Sequence, residues 1–149
     1  MRRALDTGLV LLLAGGLALA GATAAFAGSA KAGVASARVD FVGVRQDGRE
    51  QRGQHFTAAR VRILKIDVEW RTLVGAHTQQ LELITPGGSV YQRFTAPVES
   101  ATGRATVETQ VPVAGTWITE FSLEGRWAVN VYLDDAVTPI ATATFTLAK

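Results

Sequence analysis

The chain has 149 residues, with 15 lysines and arginines against 13 aspartates and glutamates, a net charge of +2, and no cysteine. The lack of cysteine excludes a thiol nucleophile, a disulfide scaffold, a thiolate zinc site and a lipid anchor through cysteine. The basic residues are dispersed, and no basic stripe with interleaved aromatic residues predicts a nucleic-acid surface. We therefore expect no nucleic-acid partner.

Residues 1–27 have the three-part form of a secretory signal peptide. A basic start, Arg2-Arg3, is followed by an apolar stretch and then by Ala25-Phe26-Ala27, which fits a small-x-small cleavage site. We predict cleavage after Ala27 and a periplasmic or extracellular location. The alternative is an uncleaved membrane anchor, because residues 8–27 are twenty residues without a charge.

After removal of the leader, 149 residues less 27 leave 122, which is enough for one domain. Residues 28–36 are small and polar and predict a flexible lead-in, so the domain is expected to span residues 37–149. Its first strand is predicted over residues 37–45. The charged, glycine-punctuated residues 46–54 that follow predict a loop.

The longest β-rich run is residues 58–72. Its apolar side chains occupy one parity at Val61 and Ile63 and the other parity from Leu64 onwards. A β-bulge near Ile63 would keep both halves on the same face of a strand. A helix is the alternative, but β-branched and aromatic residues at period two favour the strand.

The middle of the chain is predicted to alternate strands with connections marked by glycine and proline. Residues 79–85 and 89–96 form a hairpin around Pro86-Gly87-Gly88, and residues 104–113 form a further strand. The predicted connections are a turn at residues 75–78, a loop at residues 97–103, and residues 114–124, where a long loop is favoured over a short strand.

Residues 125–147 carry the clearest core pattern. Trp127, Val129 and Val131 fall on one side of a pleat, and after Pro139 the alternation resumes with threonines facing outward. This pattern predicts a hairpin. The chain then has about seven strands and no substantial helix, which is typical of a β-sandwich.

This ending resembles the last two strands of cysteine-free bacterial immunoglobulin-like or fibronectin-III-like domains. The resemblance spans about 23 residues and rests on Gly125, Trp127, Val129, Val131, Asp134, Phe145 and Leu147. It implies a single antiparallel β-sandwich with an extracytoplasmic binding or structural role. It brings no catalytic motif and no cofactor.

Few residues predict chemistry. The only histidines are His55 and His77, neither beside a nucleophile motif, and His77 is expected to cap a turn. Asp134 and Asp135 could reach a calcium ion, but a solvated turn is favoured. We expect no enzyme and no metal site, unless a pocket joins His77 to a serine or aspartate in three dimensions.

The sequence therefore predicts an exported, non-catalytic domain that binds a protein partner in the cell envelope or outside the cell. The predicted contact surface is formed by the loops at residues 46–54, 97–103 and 114–124. The alternative is a carbohydrate-binding module that stacks sugars on exposed aromatic residues. The candidate binding residues are Trp117, Tyr132 and His77, and membrane association is expected only if the signal segment stays uncleaved.

Overall fold

The computed structural model describes residues 33–149, which form seven strands and one short helix. The predicted signal peptide and residues 28–32 of the predicted lead-in lie outside the described residues. The elements are β1 Ser36–Arg45, β2 Glu50–Arg52, β3 His55–Thr57, β4 Val61–Ile84, β5 Val90–Pro112, α1 Trp117–Glu120, β6 Gly125–Leu133 and β7 Ala141–Ala148. The all-β class and the count of about seven strands are confirmed for this part of the chain. None of its helical residues form a segment long and apolar enough to cross a membrane.

The dominant feature is the hairpin of β4 and β5, with 24 and 23 residues. The two strands pair antiparallel along nearly their whole length, with Thr78 opposite Pro97. The predicted turn at residues 75–78 and the predicted loop at residues 97–103 are therefore wrong, because both segments are strand. The register shifts between Arg71 and Gly75, opposite the left-handed Gly103, so both strands bend together at this point.

The remaining strands are arranged around β4. Its first half pairs with β1 and its second half with β6, whereas β5 runs along the opposite edge. The strand order is β2-β1-β4-β6-β7-β3, with β3 parallel to β7 and all seven strands in one hydrogen-bonded sheet. The predicted terminal hairpin is confirmed as β6 and β7.

The β-bulge predicted near Ile63 is confirmed. Val44 of β1 lies opposite Ile63, whereas the next residue, Arg45, lies opposite Val61, so Arg62 is the extra residue in β4. Val61 and Leu64 are consequently both buried despite their opposite parity.

Two predicted loops contain regular structure. Residues 46–54 include β2, and β3 follows directly after them. Phe56 of β3 is buried against Gly43 of β1, where an added Cβ would lie 2.7 Å from a carbon of the phenylalanine ring. Residues 114–124 are a connection, as favoured, but they include the four-residue helix α1.

Aromatic side chains fill the core and connect both paired and unpaired strands. Trp127 of β6 is fully buried, as predicted, and its ring stacks on that of Phe145 with the centroids 6.1 Å apart. The ring of Phe145 also packs 5.0 Å from that of Phe41, although β7 and β1 share no ladder. Trp70 is equally buried, and its Nε1–H donates to Oε1 of Gln79 at 2.7 Å. This hydrogen bond joins the two halves of β4 across its bend.

Candidate functional site: the exposed aromatic end

The segment that follows β5 places two large apolar side chains in solvent. Thr116 caps helix α1, because its hydroxyl accepts from the N–H of Ile118 at 3.3 Å and donates to the carbonyl of Val113 at 2.7 Å. Ile118 is buried and anchors the helix to the core. Trp117 and Phe121, four residues apart, therefore lie on the outer face and are 66% and 63% exposed.

These two rings form the centre of an apolar surface. They meet edge to face, with centroids 5.7 Å apart and planes at 80°. A groove of about 690 Å³ beside Trp117 is lined by Val90 and Tyr91 at the start of β5, together with Thr85, Gln92 and Thr116. Val90 is itself 42% exposed. We call Val90, Trp117 and Phe121 the apolar end surface.

His77 lies elsewhere, in the second half of β4, and both of its ring nitrogens are engaged. Nδ1 lies 2.9 Å from Oδ2 of Asp134, and Nε2 lies 3.1 Å from the carbonyl oxygen of Val74. Both partners can only accept, so a doubly protonated imidazolium satisfies both contacts. Among the described residues, no serine or threonine hydroxyl hydrogen-bonds to this ring.

Asp134 explains why the histidine is held there. It adopts a left-handed conformation after β6, its Oδ1 accepts from the N–H of Thr78 at 3.0 Å, and its own N–H donates to the Thr78 carbonyl at 2.7 Å. The hydrogen bond to Asp134 and that to the Val74 carbonyl raise the pKa of His77. The same hydrogen bond to His77, with that from Thr78, lowers the pKa of Asp134. The pair therefore fastens the end of β6 to β4.

A shallow depression of about 450 Å³ is lined by His77, Thr72 and Thr102, so His77 does lie at a pocket and contacts an aspartate, as the catalytic alternative requires. The Thr72 hydroxyl lies 2.6 Å from the carbonyl of Val34 and 2.7 Å from that of Arg71. Because that hydroxyl has one proton and donates it to a carbonyl, it is not activated by the histidine.

Tyr132 lies on the outer face of the sheet and is only partly exposed. Its hydroxyl donates to Oε2 of Glu82 at 3.0 Å, and Nε of Arg93 donates to Oε1 of the same carboxylate at 2.7 Å. The hydrogen bond from Arg93 lowers the pKa of Glu82. Tyr132 does not line the groove beside Trp117. On β6, Ala128 lies opposite Ile84 at the end of β4, next to Thr85 of the groove, and Tyr132 is four residues further along the strand.

The predicted binding elements are thus separated in space. Of the three predicted contact loops, residues 97–103 are strand and residues 46–54 include β2, so residues 114–124 remain as the extended surface connection. In residues 33–149, histidine and carboxylate side chains do not form a group of three or more that could hold a metal ion. The oxygens of Asp134 are occupied by His77 and Thr78.

No protein-family model and no curated protein matches the sequence. Among solved structures, the chain is similar to an immunoglobulin-like protein (PA1606) from Pseudomonas aeruginosa. The identity is 13% and the TM-score is 0.42, over 78% of this chain and 98% of that one. This is the class of domain that the terminal hairpin resembles. At that identity and TM-score, nothing about function follows from the match.

Proposed function

We propose that this protein is an exported, non-catalytic β-sandwich domain of the immunoglobulin-like kind that binds a protein partner through the apolar end surface. The observation that carries the proposal is the exposure of Trp117 and Phe121 side by side. Burial of these rings against a partner would remove a large apolar area from water, and tryptophan is enriched among the residues that dominate binding energy at interfaces.

The anchoring of the helix supports this proposal. Ile118 and the cap at Thr116 fix the backbone of α1, so the two exposed rings are presented on a segment that is already ordered. Binding then costs less conformational entropy than binding by a free loop. Thr85, Gln92 and Thr116 supply polar groups around the groove, which matches the polar rim of protein interfaces.

The sandwich architecture is supported by the contact of Phe41 with Phe145. These rings lie 5.0 Å apart on strands that are not hydrogen-bonded to each other, as expected if the sheet folds over and packs two of its faces together. The bend shared by β4 and β5 would allow each strand to pass from one layer to the other.

The non-catalytic character is supported by the state of His77. A general base needs a free nitrogen lone pair directed at a nucleophile, and both nitrogens of this ring lie against oxygen atoms of Asp134 and Val74 that can only accept. The raised pKa of His77 favours the protonated ring further.

Carbohydrate binding is the second candidate. Trp117 offers an exposed ring, but Phe121 meets it at 80° and Tyr132 does not share its groove. A coplanar platform for several sugar rings would need these aromatic faces aligned, so a protein partner is favoured.

Site-specific photo-crosslinking in the producing cells tests the proposal. A photoreactive phenylalanine at Phe121 is expected to give one discrete protein adduct, which is lost when Trp117→Ala is added. The same probe at Val137, which is 94% exposed in the connection between β6 and β7, serves as the matched control. With the captured protein purified, Trp117→Ala should weaken binding at least tenfold and Val137→Ser less than twofold.

Equal adducts from both positions, or a captured protein whose binding ignores Trp117→Ala, would reject the apolar end surface as the site. A glycan array provides the competing outcome. Glycan binding that is lost in Trp117→Ala, without any protein adduct, would replace the protein partner by a sugar.

A further inference from the structure

A second surface lies on β5 and is independent of the proposed function. Among the described residues, β5 pairs only with β4, so its other edge offers a long row of unpaired backbone groups. Such edges are templates for pairing with another strand. The stretch from Arg104 to Val111 is regular, because its register with β4 is uninterrupted from Arg71 to Leu64.

The direction of the backbone groups in this stretch follows from its two ends. The N–H of Val113 donates to the Arg62 carbonyl at 2.9 Å, and these residues continue the register of the ladder. Antiparallel pairs alternate between bonded and non-bonded, so odd-numbered residues of this stretch bond to β4 and even-numbered residues direct N–H and C=O to the free edge. Pro112, which has no N–H, fits this alternation. The carbonyl of Arg104 fits it too, because it accepts from the Ser100 hydroxyl at 2.8 Å instead of from β4.

The side chains of this edge are self-complementary. If two copies of the stretch meet antiparallel with Thr106 opposite Thr106, Arg104 of each copy lies opposite Glu108 of the other. On the inner face, Ala105 would lie opposite Val107, and both are only partly buried in the single chain. Registers centred on Arg104 or Glu108 would instead place like charges opposite each other. The charges therefore oppose those registers and favour this one.

We infer that the protein forms a symmetric dimer by antiparallel pairing of β5 with β5 of a second copy, centred on Thr106. Across the twofold axis, the backbone groups of Thr106 exchange hydrogen bonds with those of the other Thr106, and those of Arg104 with those of Glu108. The Arg104 carbonyl there accepts a second hydrogen bond beside the one from the Ser100 hydroxyl. Two Arg104–Glu108 pairs flank that axis. The dimer continues the sheet from one copy into the next.

The test measures molar mass by light scattering and sedimentation on the protein as recovered from the producing cells, with its N terminus determined by mass spectrometry. The wild type is expected to form a dimer whose fraction rises with concentration. Arg104→Glu makes both edge charges acidic and Glu108→Arg makes both basic, so each variant should dimerise at least tenfold more weakly. An equimolar mixture of the two variants restores opposite charges across the axis. It should give a heterodimer with a dissociation constant close to that of the wild-type dimer.

Thr106→Pro removes the N–H at the axis without removing a bond to β4. It should give a monomer with an unchanged circular dichroism spectrum. Trp117→Ala should leave the dimer intact, so failure of this inference and failure of the proposed function are distinguishable.

A wild type that stays monomeric overturns the inference, including the case in which the edge captures an extended peptide of another protein. A dimer that is indifferent to both charge reversals overturns it as well. So does a mixture that associates no better than the separate variants, because charge pairing across the axis is the basis of the register.

Discussion

Replacing Gln79 by methionine tests the hydrogen bond that holds the bend of β4. Gln79 is 1% exposed, and its Oε1 accepts from Nε1–H of the fully buried Trp70 at 2.7 Å. Gln79→Met keeps the approximate volume but leaves the indole N–H without a partner. A buried donor without a partner costs about 1–3 kcal/mol. For a domain of this size, a loss of about 2 kcal/mol lowers the melting temperature by about 8 °C.

The assay is urea unfolding followed by tryptophan fluorescence, in the wild type and in a Trp70→Phe background. Trp70→Phe removes the N–H, so Gln79→Met in that background should cost less than about 1 kcal/mol. Gln80→Met, at the neighbouring, only partly buried glutamine, is the matched control and should stay within about 0.5 kcal/mol of the wild type. An equal cost of Gln79→Met in both backgrounds would refute the reasoning, because the loss would then not depend on the indole N–H.

Three further substitutions test the packing and the charges. Gly43→Ala places a methyl group 2.7 Å from a buried aromatic ring and should cost about 1–3 kcal/mol in urea unfolding. Gly87→Ala, whose methyl group would only touch Oγ1 of Thr85 at 3.8 Å, should be nearly neutral. Asp134→Asn should lose most stability between pH 3.8 and pH 6.5, which are the ordinary pKa values of an aspartate and a histidine. Because the pKa of His77 is raised, its contribution to the free energy of unfolding is complete below pH 6.5 and is lost as the pH rises through the pKa of the folded protein. Because the pKa of Asp134 is lowered, its contribution is complete above pH 3.8 and is lost on acidification. Asp67→Asn should raise stability at pH 7 by up to about 1 kcal/mol, because carboxylates flank this residue on both neighbouring strands and burial raises its pKa.

Each of these has an outcome that contradicts it. Gly43→Ala and Gly87→Ala of equal stability would show that the ring is not against β1. An Asp134→Asn effect that grows above pH 7 would show that His77 is not held as a cation. If Asp67→Asn lowers the urea midpoint at pH 7, neighbouring basic groups outweigh the repulsion of Asp67 by Asp40 and Glu108, which lie opposite it on β1 and β5.

The strands with clear alternation could be predicted from the sequence. Trp127 to Val131 alternate regularly, and the parity slip near Ile63 located a real bulge. The turn at residues 75–78 and the loop at residues 97–103 were wrong predictions for a physical reason. Pro97 tolerates a strand position where its missing N–H faces the free edge, and Gly103 permits the left-handed bend, so residues that usually end strands here only bend them.

The candidate site was only half predictable. The sequence predicts Trp117 as an exposed aromatic residue, but it does not predict the exposure of Val90 and Phe121. The spacing of Trp117 and Phe121 at i and i+4 is a helical signal that places both on one face, and it was hidden by the interpretation of the segment as a loop. The groove forms where the segment after β5 lies beside the start of β5. The alternation of residues along one strand does not predict such a contact. The three-residue strands β2 and β3 are too short to show a period.

The apolar end surface can be tested directly with its tryptophan. The chain has three tryptophans, of which Trp70 and Trp127 are fully buried and Trp117 is 66% exposed. In fluorine NMR of the 5-fluorotryptophan-labelled protein, one of three resonances should show a solvent isotope shift between H₂O and D₂O. Addition of the captured partner should abolish that shift and leave the other two resonances in place. A complex that forms while the Trp117 resonance keeps its full solvent shift would contradict the account.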